Sequence, residues 1–277
     1  MSVLSFSGIV FVVSAVAGFL GSLTGLGGGV VITPVLTLLL GVDLHYAMGA
    51  SLVSVIATSS GAAAAYVREG YSNIRVGMFL EIATTLGAVA GAHLMAVIPP
   101  SGLSFIFGAV LVYSAWLMLR QGTSRVDAPH DPLADRLVLN GEYPGPEGTI
   151  HYCVRRVKAG FSLMFGAGLI SGLLGIGSGA MKVIAMDEIM RIPFKVSTTT
   201  SNFMIGVTAA ASAGIYLSRG YIAPPLVMPV MLGVLGGSLA GARRLPGAST
   251  RPLQLLFAAV VGLLAIEMII RGIRGSF

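Results

Sequence analysis

The chain has 277 residues, of which 55% are hydrophobic and only 10% are charged, and its mean hydropathy is +0.89. A soluble domain carries roughly 25% charged residues, so this composition excludes an ordinary soluble protein and indicates a protein that lies in a membrane. The net charge of +6 comes mainly from Lys and Arg in the loops between apolar stretches. That distribution is typical of membrane orientation and does not indicate nucleic-acid binding.

Six stretches are long enough to cross a bilayer, because a spanning helix needs about 20 mostly apolar residues. They lie at residues 48–67, 76–98, 103–119, 196–217, 222–242 and 253–270. A further apolar stretch at 6–20 has the length of a signal-peptide core. No Lys or Arg precedes it and no convincing cleavage site follows it, so we expect it to stay in the mature protein.

The chain repeats itself at a shift of 150 positions, and the alignment needs no gap. The motif Tyr-x-x-x-Gly-Tyr occurs at 66–71 and again at 216–221, and the glycines at 25–29 fall on those at 175–179. Glycine matches alone are weak evidence in so biased a composition, but the tyrosine motif is not. We therefore predict two homologous transmembrane repeats, assigned to residues 1–120 and 158–277.

The segment between the repeats, residues 121–157, differs in kind. Its prolines, glycines and alternating charges cannot form a spanning helix, so we expect an aqueous linker on the cytoplasmic side. Short strands at 136–139 and 149–154 are predicted to pair as a small solvated hairpin. Cys153 is the only cysteine, which excludes a disulfide framework and a thiolate metal site.

Each repeat begins with two apolar pieces on either side of a glycine cluster, 6–23 with 30–40 and 160–174 with 180–190. Each piece is expected to be too short to cross comfortably, so a pair forms either one broken span or a V that enters and leaves by the same face. The V arrangement gives the stronger excess of Lys and Arg on one face and is favoured. Each repeat then crosses three times, which makes the two repeats opposite in orientation.

The predicted fold is therefore an all-α integral membrane protein of two inverted-topology repeats. Each repeat is a re-entrant or broken helix pair followed by three transmembrane helices. Both termini are expected outside, and the central loop in the cytoplasm.

Four motifs resemble the TauE/SafE sulfite-exporter family over nearly the whole chain except the central loop. They are Gly-Leu-Gly-Gly-Gly-x-x-x-x-Pro at 25–34, Gly-Ala-Ser-Leu at 49–52, Tyr-x-x-x-Gly at 66–70 and Gly-Leu-Leu-Gly-Ile-Gly-Ser-Gly at 172–179. The resemblance implies export of small anions, especially sulfite and organosulfonates, across the bacterial cytoplasmic (inner) membrane. The second repeat departs from the family pattern at Lys182, where an apolar residue is usual, and this bears on the substrate more than on the fold.

The glycine tips indicate an anion site. Glycine lets the backbone turn sharply and approach a ligand, and a helix that starts there offers unpaired N–H groups and a partial positive charge. Lys182 would be a poor neighbour for that helix start unless a negative charge binds beside it. The predicted binding residues are Gly27, Gly28, Gly29, Ser51, Gly177, Ser178, Gly179, Lys182, Ser201 and Asn202.

Packing is the competing explanation for several of these residues. For Ser51, Ser201 and Asn202, helix packing or a bond to the preceding turn is about as good an account as ligand binding. The glycine pairs at 87/91 and 237/241 are predicted to serve close helix packing without any ligand.

Proton carriage by Glu81 or His93, predicted on roughly one side of a single helix, is left open. A simple uniporter would suffice, because the membrane potential favours anion exit.

Two other classes share some of these features. An anion channel would use the same site. An intramembrane serine protease needs Gly-x-Ser with a histidine, whereas Ser178 directly follows Gly177, and the chain contains no His-Glu-x-x-His motif. Neither glycine cluster matches a nucleotide-binding fingerprint.

We expect a transporter rather than an enzyme, without metal or cofactor. Its expected partners are the lipid bilayer and a small anion such as sulfite or an organosulfonate. A homodimer is left open.

Overall fold

Helices form wherever the sequence is continuously apolar, and most of them end at glycine, proline or charged residues. The computed structural model describes residues 3–24, 28–68, 70–119, 131–145, 148–244 and 250–275. The helices are α1 Val3–Thr24, α2 Gly29–Pro34, α3 Leu44–Arg68, α4 Ile74–Leu94, α5 Pro100–Leu119, α6 Pro132–Arg136, α7 Val157–Leu174, α8 Gly179–Ile184, α9 Phe194–Ser218, α10 Pro224–Arg244 and α11 Thr250–Arg274. A wider π-helical turn continues α2 over Val35–Leu39 and α8 over Ala185–Ile189.

The six predicted spans are confirmed as helices and correspond to α3, α4, α5, α9, α10 and α11. Within the described ranges, four helices are long and apolar enough to cross a membrane, over Leu4–Ser22, Ile74–Leu94, Val157–Leu174 and Pro224–Gly241. The chain thus has the helices of an all-α membrane protein.

The expected shortness of both arms of each glycine-interrupted pair is wrong for the first arms. Helix α1 has 22 residues and α7 has 18, which at 1.5 Å per residue gives about 33 Å and about 27 Å. The helices run to the edge of the glycine clusters, so each uses more of the sequence than its most apolar part. The second arms are short, as predicted: the first of them, Gly29–Leu39, is an apolar helix below spanning length.

The two halves pack against each other reciprocally. Helix α1 packs on α10, and its equivalent in the second half, α7, packs on α4. In the same way α3 contacts α10 and α9 contacts α4. The pairs α3 with α9 and α5 with α11 join equivalent helices.

The glycine pairs predicted for packing are confirmed in this role. A Cβ on Gly87 would collide with the carbonyl oxygen of Phe165, and one on Gly237 would collide with that of Ala15, at the equivalent place.

Replacing Gly87 with valine is therefore expected to force α4 away from α7 and to lower the free energy of unfolding by about 2 kcal/mol, since overpacking costs about 1–3 kcal/mol. Gly166 in α7 is the matched control, because nothing lies within 4 Å of the position of its Cβ. Denaturant unfolding of the purified protein measures both variants. Equal losses for Gly87→Val and Gly166→Val would contradict the close approach of these helices.

The central segment contains the predicted hairpin, but with a different first strand. Strands β1 Gly141–Gly145 and β2 Gly148–Tyr152 pair antiparallel. The strand predicted at 136–139 is wrong, because helix α6 ends there. Asp131 caps α6 by accepting from the backbone N–H of Leu133, and proline follows at the first helical position, which favours a helix start.

This segment also docks onto the helices and is less solvated than predicted. Asn73 caps α4 and donates from Nδ2 to the carbonyl oxygen of Leu139 at 3.0 Å and to the hydroxyl of Tyr152 at 2.8 Å. The backbone N–H of Arg155 donates to the carbonyl oxygen of Met190 at 3.0 Å. The central segment thus connects the start of α4 with the end of the second short arm.

Candidate functional site

The second glycine tip, residues 175–178, is a sharp left-handed turn between α7 and α8. Gly175 and Gly177 have φ of 69° and 77°, where a side chain is strained. Ser178 takes the same region with φ of 46° although it carries a Cβ, and no side chain caps α8. A strained residue at the start of a helix is a reason to examine this turn as a functional site.

Both tips meet the same two turns of α3. The Ser51 hydroxyl lies 3.0 Å from the carbonyl oxygen of Gly29 and 2.7 Å from that of Gly175, and its single proton serves one of them at a time. A Cβ on Gly29 would lie 2.6 Å from Val55, and one on Gly177 would lie 2.8 Å from the same side chain. Ser51 and Val55 therefore bring the first and second tips together.

Equivalent contacts anchor each short arm. Ser201 donates to the carbonyl oxygen of Gly179 at 3.2 Å, in the same way that Ser51 approaches Gly29. Gly28 donates its backbone N–H to the Thr58 hydroxyl at 3.3 Å. The hydroxyls of Ser51 and Ser201 are thus engaged with tip carbonyls. Gly27, also predicted to bind the anion, lies outside the described residues.

Two of the predicted binding residues have side chains with no hydrogen-bond partner among the described residues, as does Ser171 at the end of α7. Asn202 is fully buried and neither its amide nitrogen nor its oxygen is bonded; the buried Ser178 hydroxyl is likewise unbonded. Buried polar groups are nearly always bonded, so these two require an explanation. A ligand that accepts hydrogen bonds would provide one.

Lys182 is paired, and the sequence did not predict its partner. Its side chain is 0% exposed, and Nζ lies 3.7 Å from Oε2 of Glu81 on α4. The Thr208 hydroxyl bridges the pair: it accepts from Nζ and donates to Oε1 of Glu81 at 2.5 Å. The argument that Lys182 needs a bound anion for balance is corrected, because a buried carboxylate already supplies a negative charge.

Glu81 presents its two oxygens differently. Oε1 accepts from Thr208 and from Thr85 at 3.3 Å, whereas Oε2 has no hydrogen-bond partner among the described residues. His93 is exposed, so the prediction that Glu81 and His93 share one side of α4 is wrong. Twelve residues at about 100° each leave two side chains about a third of a turn apart.

The internal repeat does not duplicate this polar cluster. At the shift of 150 positions Lys182 falls on Ile32, Glu81 on Met231 and Asn202 on Leu52. Comparison of the halves therefore could not identify the Glu81–Lys182 pair. The signal that the sequence did offer was two opposite charges, Glu81 and Lys182, each within a largely apolar helix.

The parts of the chain that the structure describes contain no group of three His, Cys, Asp or Glu residues able to hold a metal ion. The chemistry of the cluster is therefore that of one ammonium, one carboxylate and neutral hydrogen-bonding groups. Such a set offers one charge of each sign and several hydrogen-bonding groups.

Comparison with known proteins agrees with the sequence motifs. Residues 10–268 match the family model described as sulfite exporter TauE/SafE. The chain is 26% identical over 273 residues to the probable membrane transporter protein YunE of Bacillus subtilis (strain 168), covering 96% of this chain and 98% of the relative. It is 28% identical over 258 residues to a probable membrane transporter protein of Xylella fastidiosa (strain 9a5c), covering 92% and 91%. No solved structure matches the chain. With a match that spans nearly its whole length, the chain belongs to the sulfite exporter TauE/SafE family.

Proposed function

We propose that this protein is a secondary transporter that exports small sulfur-containing anions, such as sulfite or organosulfonates, across the bacterial inner membrane. The apolar helices, the family description and the names of the relatives support a membrane transporter. The observation that carries the substrate class is the buried ammonium of Lys182, which follows Ser178 by one helical turn. The hydroxyl of Ser178 and the amide of Asn202 are also buried and have no hydrogen-bond partner among the described residues.

The proposed binding site lies between the two tips. The backbone N–H groups at the start of α8 and its dipole attract an anion. Lys182 adds a full positive charge, and Ser178 and Asn202 add neutral donors that suit the several oxygens of a sulfur oxyanion. The glycines Gly28, Gly29, Gly177 and Gly179 let the backbone come close to the ligand, while Ser51 and Ser201 hold the tips in place.

The proposed mechanism is alternating access around this site. The reciprocal packing of the two halves supports an inverted repeat, in which each half rocks against the other. The Gly28 amide bonds to Thr58, which lies roughly 21 Å along α3 from its start, so the first tip is well inside the helix bundle. This depth supports a re-entrant second arm in the first pair. The excess of Lys and Arg on one face supports both termini outside and the central loop in the cytoplasm.

The alternatives make different predictions. An anion channel would share the site but would show no saturation at low substrate concentration. An intramembrane enzyme would need an activated nucleophile, and Ser178 forms no hydrogen bond to any described histidine. The transporter is therefore the function that the geometry supports best.

Flux into proteoliposomes tests the proposal. The purified protein would be reconstituted and supplied with sulfite, methanesulfonate, sulfate or acetate at increasing concentrations. We expect saturable flux of sulfite or the sulfonate and slower flux of acetate. Flux that rises linearly with concentration would favour a channel, and absence of flux for all four anions would overturn the transport proposal.

Replacing Ser51 with alanine is expected to raise the KM for the transported anion about tenfold. The variant frees the carbonyl oxygens of Gly29 and Gly175, and a lost hydrogen bond at a buried group costs about 1–3 kcal/mol. Ser60→Ala in the same helix is the control, because Ser60 is exposed and bonds only to the carbonyl of Ile56. The same flux assay measures both variants, and an unchanged KM for Ser51→Ala would remove the tip anchor from the mechanism.

A further inference from the structure

The charge of Lys182 is already balanced by another side chain of the protein, Glu81. Lys182 and Glu81 are both buried, their charged atoms are 3.7 Å apart, and Thr208 bridges them. A neutral ion pair is tolerated in a low-dielectric interior, whereas an uncompensated charge there is costly. The Glu81–Lys182 pair therefore limits the net charge that a ligand can bring to Lys182.

Among the described residues, no other buried charged side chain lies near Glu81 and Lys182 to compensate an added charge. Helices α7, α8 and α9 approach Glu81 from outside its own helix, and Lys182 is their buried charge. Their other charged side chains, and those of α4, are exposed or half-buried near the helix ends: Lys158, Asp187, Glu188, Lys195, Arg75 and His93. The buried tyrosines of the neighbouring elements are bonded elsewhere, Tyr216 to the carbonyls of Gly172 and Leu173 and Tyr152 to Asn73.

An anion at Lys182 would therefore create an excess negative charge. With Glu81 ionised, the site would hold two negative charges against one positive charge inside the helix bundle. Protonation of the Glu81 carboxylate removes one of them and makes the loaded site neutral again. Binding of an anion and binding of a proton thus favour each other.

We propose that Glu81 is the proton site of this transporter, so that a monovalent anion occupies Lys182 together with one proton on Glu81. This inference rests on the proposed function and adds the coupled ion. The proton comes from water on the side where the anion binds and returns to water on the side where it leaves.

The geometry of Glu81 assigns the proton to one oxygen. Oε1 already accepts hydrogen bonds from Thr208 and Thr85, while Oε2 accepts none from the described residues and is the oxygen nearer to Nζ of Lys182. A proton on Oε2 turns that oxygen into a donor aimed toward the ammonium. An anion held by Lys182 would accept this hydrogen bond.

The coupling changes what drives transport. The empty site, with ionised Glu81, and the loaded site, with anion and proton, carry the same net charge. Neither step then moves net charge across the bilayer, so the membrane potential does not drive the anion. The combined gradients of anion and proton set the direction of flow, unlike in the simple uniporter that the sequence left open.

Proton and anion flux measured together test the coupling. The full chain would be reconstituted in liposomes that contain a pH-sensitive dye, with methanesulfonate as the probe, since this anion carries no proton of its own near neutral pH. Potassium and valinomycin set the membrane potential. For the wild type we expect one proton to move with each anion, and an anion distribution that ignores the potential.

The variants separate the proton site from the anion site. In Glu81→Gln, the anion flux that remains is expected to occur without proton movement, and the anion distribution is expected to shift about fiftyfold per 100 mV, as one moving charge requires. Glu81→Asp keeps a carboxyl group and is expected to keep coupled protons. Glu267→Gln is the control, because Glu267 is partly exposed and pairs with Arg271 at the surface.

The outcomes distinguish the coupling from transport itself. Wild-type anion flux without proton movement, distributed according to the potential, would overturn the coupling and leave the transporter intact. Coupled protons that persist in Glu81→Gln would overturn the assignment to Glu81. Absence of flux of methanesulfonate and of sulfite would overturn transport and the coupling with it. Because the wild-type stoichiometry decides the first point, poor folding of a variant does not remove the test.

Discussion

Replacing Lys182 with methionine is expected to reduce sulfite transport about tenfold to hundredfold. A hydrogen bond between a charged group and its partner contributes about 1.5–3 kcal/mol, and each 1.4 kcal/mol is a factor of about ten in affinity. Methionine is unbranched like lysine and only one atom shorter, so it keeps most of the packing but removes the ammonium. Initial rates of flux into proteoliposomes, at sulfite concentrations below saturation, measure the effect.

The single variant also leaves Glu81 without its partner, and an unpaired buried charge costs about 3–5 kcal/mol. The double variant Lys182→Met with Glu81→Gln removes both charges and is expected to regain most of that stability while transport stays lost. Lys158→Met, at the exposed start of α7, is the control for the substitution itself. A stable double variant that transports sulfite at the wild-type rate would exclude Lys182 from the binding site.

Replacing Asn202 with leucine is expected to stabilise the empty protein and to impair transport at the same time. The amide is fully buried and neither of its polar atoms bonds to a described residue, so its removal relieves a cost of about 1–3 kcal/mol. The other repeat carries Leu52 at the equivalent position, which indicates that the fold accepts leucine there. If the amide bonds the anion, the same change is expected to raise the KM about tenfold. Thermal unfolding and flux, measured on one preparation, report the two effects.

Thr198→Val is the matched control for this variant. Thr198 lies in the same helix and its buried hydroxyl also has no partner among the described residues, but it is not among the proposed binding residues. We expect its replacement to leave the KM unchanged. If Asn202→Leu stabilises the protein and transports normally, the unpaired amide is a packing defect and has no role with the substrate.

Hydropathy and the internal repeat predicted much of the fold. The helices at the six predicted spans, the glycine interruptions and the close packing at Gly87 and Gly237 follow from local sequence, because helix length and small residues are readable without knowing the neighbours. The first strand of the hairpin was misassigned because α6, which begins after the cap at Asp131, ends within the stretch that also suits a strand.

The candidate site was only half predictable. Lys182 and Asn202 stand out because a charge and an amide interrupt apolar helices. Their surroundings could not be read from the sequence, since Glu81 lies in the other repeat and the contact depends on how α4, α8 and α9 cross. Periodicity places a residue on a helix, but the face that meets a neighbour is decided by packing.

The polar cluster has no counterpart at the positions related by the shift of 150, where Ile32, Met231 and Leu52 stand. A transporter made of two identical inverted repeats would have inward-open and outward-open forms that are related by a two-fold rotation and have equal energy. In the proposed mechanism, the two forms of this protein would expose chemically different walls to the cytoplasm and to the outside. The apparent affinities measured from the two faces of the membrane should therefore differ, and detailed balance requires the maximal rates to differ in proportion, so that the protein works faster in one direction without any change in its equilibrium.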